Sequence, residues 1–181
     1  MKSKNPFKVL MTGAIACAIM FSIPAFAQNN SKLSDAEIAS VAVTANQIDI
    51  DYAAIAKQKT KNVDVLKFAE TMATDHKSVI DQAVALVTKL KVTPKDNAVS
   101  QKLLADAVKT KKMLHSKSGS AFNKAYIDNE VGYHKAVIDA VENLLIPDAS
   151  NAELKALLQN VLPVLKTHLD HAVMLQNKIS K

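Results

Sequence analysis

Four long segments of this chain place apolar residues three or four positions apart, a spacing that leaves little besides packed helices for the chain to become. The first stripe is Ile38, Val41, Ala45, Ile48, Tyr52, Ile55, and the second runs from Ala69 through His76 to Leu90. The third is Ile127, Glu130, His134, Val137, Val141, and the fourth runs from Leu154 through Leu165 and His168 to Leu175. β-Branched and polar residues never alternate for long enough to suggest a strand.

Local signals set the boundaries. "SDAE" at 34–37 is a capping box, in which Ser34 accepts from the third helical amide and Glu37 reaches back. The first helix is predicted from there to about Thr60. Asn62 caps a second helix to about Lys91, and Thr93-Pro94 ends it, because the residue before proline avoids the α region. Residues 95–118 carry a weaker, lysine-rich helix that Gly119-Ser120 interrupts. A third long helix is predicted from about Ala121 to Leu145, stopping before Pro147. "SNAE" at 150–153 predicts a second capping box, and a fourth helix to about Lys178. Pro163 should bend that helix, since its ring removes a donor and crowds the carbonyl of Gln159. Two short-looped helix pairs joined by one long crossover (92–119) predict an all-α, ferritin-like four-helix bundle over residues 34–178.

The first 27 residues read as an export signal rather than as part of the bundle. Lys2, Lys4 and Lys8 precede an apolar run from Val9 to Ile23, and "AFA" at 25–27 offers small residues for cleavage after Ala27. A membrane span would want roughly 20 apolar residues, and Pro24 interrupts the run first. Ala14 stands three before Cys17, where a lipoprotein signal wants leucine, so lipidation is not expected. The expected product begins with a polar tether, 28–33, has no transmembrane span, and resides in the periplasm or outside the cell.

Cys17 is the only cysteine, so no disulfide is expected after processing. The formal charge falls from +6 to +3 once the three leader lysines are removed, and the chain contains no arginine. Its lysines are dispersed among carboxylates. Nucleic-acid binders concentrate basic residues and favour guanidinium contacts, so no nucleic-acid partner is expected.

Polar residues interrupt the stripes at one height. The predicted helices have midpoints near residues 47, 76, 133 and 165, and Asp49, His76, Glu130, His134 and His168 all lie within about one turn of them. Antiparallel helices of equal length share a mid-level, so these groups should meet in one core layer. Burying carboxylates and imidazoles there costs several kcal/mol unless they are paired or bind something. The expectation is a single divalent metal held by His76, His134, His168, Glu130 and Asp49, with Asp75 fixing an imidazole tautomer and His171 as a weaker candidate. Imidazole and carboxylate without thiolate suit zinc, iron, manganese or copper(II). A di-iron carboxylate site is not expected, because Glu-x-x-His occurs nowhere in the chain. The alternative is a closed hydrogen-bonded network, Glu130 to His134 and Asp49 to His76, that specifies packing without a metal. His115, in the lysine-rich crossover, should simply be exposed.

The chain from about Ser34 to Gln176 resembles the bacterial "domain of unknown function 4142" group, exported proteins described as ferritin-like. The likeness rests on "VLKFAETMATDH" (65–76), "FNKAYIDNEVGYH" (122–134) and "LPVLKTHLDHA" (162–172). Asp49 stands where the group commonly has glutamate. The resemblance implies the exported helical fold and a shared polar core layer, and it carries no established activity.

Two functions are consistent with this reading. One is an envelope protein that binds a metal, for metal handling or a redox task in envelope stress. The other is a non-enzymatic envelope module that binds a protein partner or a small apolar ligand, with buried histidines whose protonation near pH 6 would open the bundle. Attachment to a membrane surface through the lysines of 102–117 is a lesser alternative. No nucleophile with an adjacent base is legible, so hydrolysis is not expected.

Overall fold

The computed structural model describes residues 32–180, so the leader expected over 1–27 and most of the tether lie outside the described residues. Those described are helical throughout, with no strand among them. The helices are α1 (Asp35–Lys59), α2 (Val63–Leu90), α3 (Ala98–His115), α4 (Gly119–Ala140) and α5 (Ala152–Ile179). A π-turn (Val141–Leu145) and one further α-turn (Ile146–Asp148) extend α4. None of the described helices is both long and apolar enough to cross a membrane.

The helix ends follow local chemistry. The Ser34–Glu37 capping box forms at the start of α1. Asn62 caps α2 by accepting from the amides of Asp64 and Val65. Lys91, at φ 56°, ends α2 in the left-handed conformation, so the chain turns before reaching Thr93-Pro94. Two further boundaries differ from expectation. Asn151, not Ser150, caps α5, its side chain accepting from Glu153 N at 2.9 Å and Leu154 N at 3.1 Å. Ser150 is held instead by Asp35, whose Oδ1 accepts from its amide at 2.9 Å. Nor does α4 stop short of Pro147. The backbone widens into the π-turn, with Ile146 N–H bonding to the Val141 carbonyl, just where the proline ring would crowd the carbonyl of Asn143. Helix α5 continues through Pro163.

Helix α1 packs mainly against α2, and α4 against α5. The crossover helix α3 lies along α1. Lys95 N donates to Ala36 O near its start, and Lys59 Nζ reaches the carbonyl of Leu114 near its end. Helix α3 therefore runs parallel to α1 and returns the chain so that α4 can descend. Asp148 Oδ2 then accepts from Leu33 N at 2.8 Å, bringing the end of the α4 extension back to the start of α1.

The core has two unlike halves. One is built on Tyr52, Phe68, Phe122 and Tyr126 with Met72 and Leu175. The other is wholly aliphatic, with Ile38, Val41, Ile138, Leu154, Leu158 and Leu165. The expected polar residues belong to neither apolar cluster.

Candidate metal centre

Asp49 on α1, His76 on α2, Glu130 and His134 on α4 and His168 on α5 are all buried, the two carboxylates completely. The three rings surround one point. Their centroids are 5.6 Å apart for His76 and His134, 5.2 Å for His76 and His168, and 5.5 Å for His134 and His168. One ring nitrogen from each lies within 4.8 Å of the others. Asp49, Glu130 and His134 satisfy the same limit as a second, overlapping trio.

The outer nitrogen of each ring faces an acceptor. His76 Nδ1 is 2.7 Å from Asn46 Oδ1. The orientation of that amide is fixed because Asn46 Nδ2 donates to Ala42 O at 2.8 Å. His134 Nδ1 donates to the Glu130 carbonyl at 3.0 Å, and His168 Nε2 to Asp75 Oδ2 at 2.9 Å. Three outer protons are therefore assigned, and the inner atoms are His76 Nε2, His134 Nε2 and His168 Nδ1. Each is buried without a hydrogen-bond partner among the described residues, as are both oxygens of Asp49 and both of Glu130. Asp49 Oδ2 is 3.2 Å from His76 Nε2 and 3.6 Å from His134 Nε2, close enough for charge interaction but off the line of a hydrogen bond.

These surroundings shift the titrations. Burial pushes His134 down to about 4, against the opposing pull of Asp49. Burial also lowers His168, with Asp75 resisting. Both rings are thus neutral at pH 7, the form that ligates a metal. Glu130 is raised well above the ordinary carboxylate range, first by burial and then by the charge of Asp49. For Asp49 burial works upward, but the imidazoles around it, His76 first, hold it below its ordinary value.

Not every candidate residue lies where the sequence suggested. Asp75 accepts from His168 rather than from its neighbour His76. His171 packs edge-on against Phe68, with centroids 5.1 Å apart, and is not among the described groups sharing a 4.8 Å sphere. His115 is exposed. Asn46, which orients His76, was not visible as a site residue. Its signal was its position three residues before Asp49, on the same face of α1.

A family model described as Domain of unknown function (DUF4142) matches residues 22–175. The chain belongs to that family. No curated protein and no solved structure matches it. The DUF4142 match takes in every residue of the buried layer, together with Asn46 and Asp75.

Residues that orient a metal-binding imidazole typically contribute a factor of 10–100 in affinity. In this DUF4142 chain, Asn46→Ala is accordingly expected to weaken by about 10–100-fold the binding of any metal ion the layer can hold, while leaving the helix content unchanged. Competition with a chromophoric chelator, alongside far-ultraviolet circular dichroism, checks both halves of that expectation.

Proposed function

We propose that this protein is an exported envelope component that holds one divalent metal ion at the centre of its helices. His76, His134 and His168 act as ligands, and Asp49 and Glu130 complete the shell. Asn46, the Glu130 carbonyl and Asp75 keep the rings turned toward the ion. The observation that carries this reading is the pinning of three outer ring nitrogens, which leaves three inner nitrogens beside two partnerless buried carboxylates. Such a set costs stability in the core of a protein and acquires a purpose once a cation is present. The network alternative fits less well, because it leaves both carboxylates without the hydrogen bonds that such a network exists to make.

The donor set suits zinc, iron, manganese or copper(II) and contains no sulfur. It serves metal handling, or a redox task in the envelope if the ion is iron, manganese or copper. Elemental analysis of the purified protein, before and after reconstitution with each of these ions, tests the proposal. About one ion per chain is expected, and His134→Ala and His168→Ala should each abolish it. Failure to hold stoichiometric metal after every reconstitution would reject the centre.

A further inference from the structure

We propose that the aliphatic half of the core contains a binding chamber for a small, uncharged, apolar molecule of gas size, and that this chamber opens onto the buried polar layer. A space of about 70 Å³ lies there. Its floor is Asn46, Asp49, His76 and His134. Its walls come from the opening half of α1, the closing half of α2, the end of α4 and the opening half of α5, among them Ala42, Ala83, Val137, Val141, Leu158 and Leu165.

The chamber follows from residue size. The half of the bundle beyond Tyr52 is filled by four buried aromatic rings, whereas the cluster around Leu158 has none. Alanines at 39, 42, 45, 83 and 140 line the space where bulkier side chains would close it. Val141 and Leu145 of the π-turn also line the chamber. Val87, Leu157 and, from α3, Val99 also line the space and are partly exposed.

Chemistry and volume set the occupant. Above the floor the walls are aliphatic, apart from the half-buried ring of Tyr133, so an ion or a strongly polar molecule would lose its hydration without compensation. A dry cavity of about 150 Å³ admits benzene or xenon. At less than half that size, this chamber has room for xenon or a diatomic gas but not for a ring. Asp49, His76 and His134 line this space and also carry the unpartnered atoms, so the molecule would meet the proposed ion-binding layer. The metal reading gives the chamber its purpose, but the chamber can be tested without metal.

Xenon is the probe, titrated into chelator-treated protein and followed by NMR. Methyl signals of Val137, Leu158 and Leu165 and ring-proton signals of His76 and His134 are expected to shift saturably. Those of Val65 and Leu175, in the aromatic half, should not. Ala83→Leu is expected to weaken xenon binding at least tenfold. Ala42→Leu should do the same from the neighbouring helix α1, should the first variant fold poorly. Benzene is expected to leave all these signals unmoved. Saturable benzene shifts would overturn the size class, and the absence of saturable xenon shifts would overturn the chamber. Shifts confined to the methyls, with both histidines silent, would overturn its opening onto the layer. Because no metal is present, none of these results depends on whether the metal centre exists.

Discussion

Treated with chelator at pH 8, protein carrying Glu130→Gln is expected to melt about 3–8 °C above the unaltered protein. Glu130 is fully buried, neither of its oxygens has a hydrogen-bond partner among the described residues, and the charge of Asp49 lies nearby. An unsatisfied buried polar group costs about 1–3 kcal/mol, and more when it is charged. Glutamine keeps the shape and cannot ionise, so the burial and the Asp49 charge that oppose ionisation of Glu130 no longer cost stability. A change of 1 kcal/mol moves Tm by about 2–4 °C in a domain of this size. The second half of the expectation is a reversal. With metal at about a hundred times its Kd, the unaltered protein gains about 2.7 kcal/mol. The variant gains little, because an amide is a poor substitute for a carboxylate ligand. Melting curves of both proteins, with chelator and with metal, should therefore cross in rank. If Glu130→Gln is the less stable protein even with chelator, the carboxylate is holding the core together, and the structural network is the better account.

Much of this layer was legible in the chain because two regularities coincide. Helical spacing puts Asp49, His76, Glu130, His134 and His168 on inward faces, and near-equal antiparallel helices put inward residues near each midpoint at one level. What the sequence did not disclose depends on how far side chains reach. Asp75 was associated with His76 by adjacency, yet neighbours on a helix point about 100° apart. Its carboxylate therefore meets α5 at His168 while His76 faces α1. Asn46 orients a ring 30 positions away, a pairing that exists only after α1 and α2 have docked. His171 shares a side of α5 with His168 by spacing, but one turn further on it meets Phe68 instead of the polar layer. The chamber was hidden for a different reason. Apolar periodicity says that Ala45, Ala83 and Val141 face inward, but not that together they fail to fill the space. The one available hint was that aromatic residues gather in the other half of the bundle.

The pH profile of the metal-free protein supplies the second large effect, and Glu130→Gln makes it readable. His134 titrates at about 4 in the fold and at 6.5 when free, so the unfolded chain takes up a proton that the folded ring refuses. Its contribution to stability is therefore complete above pH 6.5 and is lost as pH falls toward about 4. At 1.36 kcal/mol per pKa unit, that loss is about 3 kcal/mol, and His168, also lowered, adds to it. Asp49 is depressed below its ordinary value of 3.8, so its own loss falls below this window. Asp75 accepts from His168 and resists the lowering without reversing it. Glu130 works the other way. Its folded value is raised above 4.5, so its contribution is present in acid and is lost as pH rises through that folded value. In the unaltered protein the two trends oppose each other as pH rises above 4.5, and the variant lacks the Glu130 loss. Stability measured by urea unfolding with chelator should therefore rise less steeply with pH above 4.5 in the unaltered protein than in the variant. With Glu130→Gln it should level off above pH 6.5 and fall more steeply below. The advantage of the variant then widens with rising pH, which a simple repacking effect would not produce. A variant profile that stays flat from pH 7 to 5 would mean that the imidazoles accept protons without strain, and that the layer is not the closed, dehydrated site its burial implies.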